Sequence, residues 1–377
     1  MKILYFIPFF SLSLHAYSFT NIKYSLNIRK NKPFFKNISI IPPFYNKLQT
    51  LYPIYDVPSI FTKTNIPPIP PIPPLCCIFS LPPRPPNENK FLELLKLIRA
   101  KNIAPTLFLC ISGGWIINPS LLNLLHSPTF IVYTINTILI MSASMIINDL
   151  YDIEIDKINN PDRPLVKGTI QKSEAIGLTL LLLCTSEYLS LKYLPVNLQT
   201  IIHLTIIYIN LYTPIFKKIL VIKNISCAAI ISISLFFAGL ASTNVPLNLN
   251  PNFNLLIIAT NLIFTGAWSN EIILDIHDYD GDKKQKIQTL PTILGKETSL
   301  TCTGLILYLG SIMNIIALAN LYNYKIACFL FLLIMPQLHQ LDYIKKNNYS
   351  NNSIYLYMKQ INQTLVVILL YLITLTI

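Results

Sequence analysis

From about residue 100 to the C-terminus, apolar residues come in continuous runs separated by short polar stretches. The runs are about 17–25 residues long, the length of helix needed to cross a bilayer. They do not alternate apolar with polar, as lipid-facing barrel strands do. The pattern predicts nine transmembrane helices, at about 103–119, 129–148, 175–194, 198–214, 221–241, 254–274, 299–320, 325–341 and 360–377. Ala104-Pro105 marks a place where a helix must kink or restart, because proline cannot donate a backbone hydrogen bond. The expected fold class is all-α, a polytopic membrane protein.

Composition agrees with the pattern. Of the 377 residues, 53% are hydrophobic and 12% charged, and mean hydropathy is +0.51. Soluble domains carry roughly 25% charged residues, so a soluble enzyme is excluded. The net charge of +12 is distributed unevenly. One set of loops holds Lys157, Arg163, Lys167 and Lys172, then Lys217, Lys218 and Lys223, then Lys283, Lys284, Lys286 and Lys296, then Lys345, Lys346 and Lys359. The alternate loops carry no Lys or Arg except Lys192 and Lys325 at their margins. The positive-inside bias puts the first set, together with Lys96, Arg99 and Lys101, on the cytosolic side or its equivalent. Nine spans then leave the C-terminus on the opposite side.

Acidic residues are concentrated still more sharply. Beyond residue 90 there are 15, and ten lie in the windows 149–162 and 271–282, each directly after an apolar run. Asp149, Asp152 and Asp156 sit at i, i+3, i+7, and so do Asp275, Asp278 and Asp282. On a helix this spacing crowds three carboxylates on one face, where like charges repel. A hard divalent cation offsets such charge, and Mg²⁺ is commonly held by carboxylates together with substrate phosphates. These six aspartates are therefore the candidate metal ligands. Solvated helix ends are the plain alternative. The seven cysteines show neither metal nor disulfide spacing, and His277 is the one histidine inside a cluster.

The N-terminal part reads differently. Residues 1–19 have a Lys2 start, an apolar core and small or polar residues at the end, the layout of a signal peptide. Residues 20–56 are basic, with Asp56 as their only acid, and resemble a transit peptide. The two in series resemble the two-part targeting of plastids of secondary origin; an ER membrane is the alternative destination. Residues 57–90 are proline-rich and suit a semi-rigid linker. The membrane domain is expected over 91–377.

The first cluster continues as Asn159-Asn160-Pro161-Asp162-Arg163-Pro164-Leu165-Val166-Lys167-Gly168. With Asn148-Asp149-x-x-Asp152-x-x-x-Asp156 it resembles the signature of the UbiA superfamily of intramembrane prenyltransferases. The second cluster, followed by Thr289-Leu290-Pro291 and Gly295, resembles that family's second aspartate motif. The resemblance covers about 90–377. It implies nine helices around a central cavity and two aspartate motifs that bind a polyprenyl diphosphate through Mg²⁺. The implied partners are that donor, a hydrophobic acceptor and the lipid bilayer, not nucleic acid. The family pattern implies Asp152, Asp156, Asp278 and Asp282 as the catalytic residues and points to Asn148 and Arg163 as diphosphate-binding residues. Lys217, Lys218 and Tyr212 are further phosphate-binding candidates. Arg99 and Asn102 stand near a family Arg-x-x-Asn pair, although Ala100 replaces a frequent proline. The second cluster most resembles the branch of digeranylgeranylglyceryl phosphate synthases. Chlorophyll synthases and homogentisate prenyltransferases share its Asp-Gly-Asp ending, and the acceptor stays open between them. A terpene cyclase on the same fold and a transporter with a carboxylate metal site are the rival readings.

Overall fold

In the computed structural model, the described residues are 89–246, 249–284 and 286–376. The expected signal and transit segments lie outside them, as does the expected linker up to residue 88; its last two residues, Asn89 and Lys90, instead cap and begin the first helix. Fifteen α-helices follow in order: α1 Lys90–Leu97, α2 Ile103–Ile117, α3 Leu121–His126, α4 Pro128–Tyr151, α5 Ile153–Asn159, α6 Pro164–Lys167, α7 Lys172–Tyr193, α8 Val196–Tyr212, α9 Ile222–Ala241, α10 Phe253–His277, α11 Tyr279–Lys284, α12 Leu290–Leu294, α13 Lys296–Leu321, α14 Tyr324–Lys346 and α15 Asn351–Thr374. Among the described residues there is no strand.

Eight of these helices are long and apolar enough to cross a bilayer: α4, α7, α9, α10, α13, α14, α15, and α2 together with the turn before it. The ninth expected span, α8, is apolar but only 17 residues long. It ends at Tyr212; Thr213 still has helical dihedrals (φ −66°, ψ −46°), and Pro214, which follows, has no N–H to continue the hydrogen-bond ladder. The restart expected at Pro105 is present. A 3₁₀ turn at Ala100–Asn102 leads into α2, and the proline falls in the first helical turn, where no hydrogen bond is lost.

The last two helices are longer than expected. Hydropathy alone assigned 342–359 to a loop, yet α14 runs on to Lys346 and α15 begins at Asn351. Ser350 caps α15 by accepting from the Ser353 N–H at 3.4 Å, which lets polar residues stay helical beyond the apolar span.

Helices α2 and α9 run in the same sense, since the residues that follow their C-terminal ends, Asn118 and Ser242, are in contact. The most extensive pairings are α9 with α10, α4 with α7, α10 with α13, and α2 with α9. Between helices in lipid there is little hydrophobic drive, so close van der Waals packing of small residues takes its place. The crossing of α2 and α9 shows this. A Cβ on Gly113 would sit 2.0 Å from the Leu235 carbonyl oxygen, and one on Gly239 would sit 3.0 Å from the Gly113 oxygen. Beside this crossing, Ile116, Leu235, Leu256 and Leu369 form one buried core. The loops at the far end are tied by Asn118 Nδ2 donating to Ser242 O at 3.2 Å and Asn250 Nδ2 to Ile117 O at 3.2 Å.

Gly113→Ala is expected to destabilise by overpacking, about 1–3 kcal/mol or more. Gly177→Ala, on α7 with nothing within 4 Å of the added methyl, is expected to leave the melting temperature unchanged or slightly higher. Thermal unfolding of both variants in detergent checks this; equal melting temperatures would contradict the close crossing.

Candidate active site

The two acidic clusters are not placed on unbroken helix faces. Helix α4 ends at Tyr151 and α5 begins at Ile153, with Asp152 between them at φ −94°, ψ 5°. Helix α10 ends at His277 and α11 begins at Tyr279, with Asp278 between them at φ −84°, ψ 3°. Hydrogen bonds continue across each break. Asp152 N–H donates to Asn148 O at 3.0 Å and Asp156 N–H to Asp152 O at 2.8 Å; Asp278 N–H donates to Leu274 O at 3.0 Å and Asp282 N–H to Asp278 O at 2.9 Å. Redirecting the chain at the middle aspartate relieves the crowding of three like charges on one straight helix.

Distant basic side chains neutralise the first cluster. Asp149 accepts from Arg99 Nη2 at 3.0 Å and from Arg163 Nη1 at 2.6 Å. Arg163 Nη1 also reaches Asp156 at 2.6 Å, so one guanidinium bridges two aspartates. Asn160 Nδ2 donates to Asp156 at 3.2 Å. Burial pushes the Asp156 carboxyl above its ordinary range despite Arg163. Asn148 Nδ2 donates to Asp152 at 2.9 Å, and Lys217 Nζ donates to Asn148 Oδ1 at 2.9 Å and to Asp152.

The second cluster is held by the residues that follow Lys217. Lys223 Nζ reaches Asp275 at 2.6 Å, and Asn224 Nδ2 donates to its other oxygen at 2.9 Å. Glu271, one turn earlier on α10, lies within electrostatic reach of Lys223 and Asp275. Asp278 is exposed and contacts His277 Nδ1 at 2.8 Å. Asp282 is 8% exposed, and among the described residues no basic side chain forms an ion pair with it. Its carboxyl is pushed up to about 6, first by burial, with Asp275 and Asp278 adding to the shift.

The stretch 216–224 therefore ties the clusters together. Lys217 lies on a 3₁₀ turn at Phe216–Lys218 and Lys223 on the first turn of α9. Lys223 and Asn224 were not among the site residues expected from the sequence. Lys223 was visible there only as one of the basic-loop lysines. Among the described residues Lys218 makes no ion pair with a cluster carboxylate. The Tyr212 hydroxyl sits 2.9 Å from Cys227 Sγ, and Asn102 lends its backbone oxygen to Thr106 Oγ1 at 2.9 Å.

Below the second cluster lies an apolar cavity of about 300 Å³, lined by Val221, Asn224, Trp268, Ile272 and Leu305. A second of about 290 Å³ shares Trp268 and Leu305 and extends along α10 and α13 to Phe264 and Gly310. Asn224 both lines the first cavity and holds Asp275, so apolar space and charged cluster adjoin.

Among the described residues no three His, Cys, Asp or Glu side chains converge as a ready metal cage. The donor set is nevertheless that of a hard cation. It consists of carboxylates, and among the described residues no Lys or Arg forms an ion pair with Asp278 or Asp282.

Comparison with known proteins agrees with the geometry. Residues 106–361 match the UbiA prenyltransferase family, so the chain belongs to that family and is a membrane prenyltransferase. It is similar to digeranylgeranylglyceryl phosphate synthase of Methanococcus aeolicus, with 31% identity over 58% of this chain and 74% of that one. The enzyme of the same name from Sulfolobus acidocaldarius is 33% identical over 48% of this chain and 63% of that one. A solved structure of a digeranylgeranylglyceryl phosphate synthase superposes with a TM-score of 0.59 at 24% identity, covering 76% of this chain and 98% of that one. A UbiA homologue from Archaeoglobus fulgidus bound to DMAPP and Mg²⁺ has a TM-score of 0.54 at 21% identity, covering 75% and 99%. At these identities the structural likeness shows the fold alone.

Removing either lysine of the bridging stretch has a distinct expected outcome. Lys223→Met leaves Asp275 and Glu271 without their cation inside the bundle, at a cost of about 3–5 kcal/mol. Lys217→Met unpairs Asp152, whose side chain is 13% exposed against 6% for Asp275, and is expected to cost less stability. Thermal unfolding in detergent compares them; an equal or larger loss for Lys217→Met would contradict this assignment.

Proposed function

We propose that the protein transfers a polyprenyl group, of geranylgeranyl size, from its diphosphate to a lipid-like acceptor with Mg²⁺ as cofactor. The observation that carries this reading is that one stretch, 216–224, contacts both carboxylate clusters, through Lys217 on Asp152 and Lys223 with Asn224 on Asp275, and that Asn224 also lines an apolar cavity. Asp152, Asp156, Asp278 and Asp282 are the residues to hold the metal. When bound, the cation neutralises the diphosphate and stabilises charge as the leaving group departs. Asp149 and Asp275 stand behind them as further candidate ligands, Asp149 with Arg99 and Arg163 sharing its Oδ1, Asp275 with Lys223 and Asn224 on its two oxygens. Arg163 and Lys217 are partly exposed and lie on Asp156 and Asp152. They are the cations placed to turn to the phosphates, where fixed positive charge favours the departing diphosphate. The apolar walls around Trp268 keep water from the allylic cation until the acceptor attacks.

The relatives are digeranylgeranylglyceryl phosphate synthases, which favours an isoprenyl glycerol phosphate as the acceptor. Its free hydroxyl would form the new C–O bond as the allylic C–O bond to diphosphate breaks, and its proton would leave to solvent. Purified protein is to be incubated with geranylgeranyl diphosphate, Mg²⁺ and, separately, geranylgeranylglyceryl phosphate, chlorophyllide or homogentisate. Diphosphate release should be slow alone and rise with the glycerol phosphate lipid, with one prenylated product per diphosphate. Asp152→Ala and Asp278→Ala should abolish turnover in a folded protein. Rapid acceptor-free turnover to a cyclic product would instead make the protein a terpene cyclase.

A plastid membrane is the proposed location, supported by the signal-like and transit-like composition of residues 1–56. Residues 1–60 fused to a fluorescent protein should reach the plastid of an alga with a secondary plastid, and deletion of 20–55 should retain the fusion in the secretory system. ER fluorescence from the full leader would remove this assignment and favour the ER membrane.

A further inference from the structure

Helix α1 precedes the family-matched region, yet it holds a buried carboxylate that neither the cavity nor the aspartate clusters use. Glu93 is 2% exposed. The helix is amphipathic, with Phe91 and Leu92 on its exposed side and Leu97 fully buried. Leu97 packs with Ile146, Ile153, Leu165, Ile170 and Ala175, apolar residues from α4, α5, α6, α7 and the turn before α7. The helix thus lies over the junction that carries the first cluster.

The polar contacts of Glu93 point to the same place. One oxygen accepts from Lys96 Nζ at 2.5 Å and the other from Thr169 Oγ1 at 3.2 Å. Thr169 Oγ1 also lies 3.1 Å from the carbonyl oxygen of Pro164, whose neighbour is Arg163. Its one proton serves one acceptor at a time, and with Glu93 as acceptor the turn is closed by Ile170 N–H donating to Pro164 O at 3.4 Å. Burial pushes the Glu93 carboxyl up, but the hydrogen bonds from Lys96 and Thr169 outweigh it and hold the group below its ordinary range. An unpaired charge at this burial would be costly, so the Lys96 and Thr169 contacts are what make the site tolerable.

Two further features mark the segment as built for position. Gly168, between Lys167 and Thr169, has φ +72°, the left-handed turn that brings Thr169 back towards Pro164. Arg99, two residues beyond Leu97, has φ 49°, a conformation that a non-glycine residue adopts only when its surroundings hold it. From there its guanidinium reaches Asp149, the aspartate that Arg163 also contacts. One short segment therefore holds both arginines, Arg99 directly and Arg163 through Thr169 and Pro164.

We infer that Glu93 is a positioning residue for the diphosphate site: through Thr169 it fixes the turn that presents Arg163. The inference rests on the reading of Arg163 as a phosphate partner. Glu93 touches no substrate and acts through the backbone around Pro164. A guanidinium bridging two aspartates must be placed to within a few tenths of an ångström to serve either of them, which a free loop does not provide.

The test uses the full chain in lipid nanodiscs and measures binding of geranylgeranyl diphosphate with Mg²⁺, alongside melting temperature. Glu93→Ala and Thr169→Val should each weaken binding, by about tenfold if the full hydrogen-bonded anchor is lost. Glu93→Gln, which still accepts from Thr169, should bind within about twofold of wild type. In an Arg163→Ala background, adding Glu93→Ala should change binding no further, as expected for residues acting in one unit. A merely structural role would lower the melting temperature without that non-additivity. If Glu93→Ala fails to fold, Thr169→Val and Glu93→Gln carry the same comparison. Variants that bind like wild type, or losses that add fully in the Arg163→Ala background, would overturn the inference alone. A wild type that does not bind the diphosphate would overturn the reading of the site and this inference with it.

Discussion

Neutralising a dense set of carboxylates at the edge of a membrane is the constraint on which this structure depends. Six aspartates cannot be gathered beside an apolar cavity without cations held close, because unpaired charge leaving water is costly. The stretch from Lys217 to Asn224 meets this need on both sides, Lys217 on Asp152 and Lys223 on Asp275. Helix α9 therefore has two tasks. Its first turn holds the second cluster through Lys223 and Asn224, and its far end packs against α2 at the Gly113–Gly239 crossing.

The two clusters are variations on one local design. Asp149, Asp152 and Asp156 recur 126 positions later as Asp275, Asp278 and Asp282. In each, a long helix ends at the middle aspartate and a short helix follows. Each short helix then leads to another that has proline in its first turn and ends at a glycine of positive φ, Gly168 or Gly295. The cations differ: Arg99 and Arg163 serve Asp149, whereas Lys223 with Asn224 serves Asp275. The first cluster is thus fully paired, while Asp278 and Asp282 in the second are left to other partners. That asymmetry suits a site whose two halves treat a diphosphate differently, one through basic side chains and one through carboxylates.

Length and apolarity determined much of this protein directly from the sequence. Continuous apolar runs can satisfy their backbone in lipid only as helices, so eight spans and the shorter α8 were legible without coordinates. The motif Asn148-Asp149-x-x-Asp152-x-x-x-Asp156 was equally plain, because its spacing is local and lies next to an apolar run. The polar continuation of α14 and α15 was misjudged, since capping by Ser350 and not hydropathy sets where α15 begins.

Tertiary structure alone decided which charges meet. Arg99 finds Asp149 across 50 residues, Lys217 finds Asp152 across 65, and Thr169 finds Glu93 across 76. Nothing local separates Lys217 from Lys218, or Glu93 from any other acid on a surface helix. The choice follows from how α1, α4, α9 and α10 pack, which sets the few ångströms over which an ion pair at a membrane edge is made or lost. The helix breaks at Asp152 and Asp278 belong to the same level, because φ and ψ at those two residues place the carboxylates within reach of their partners.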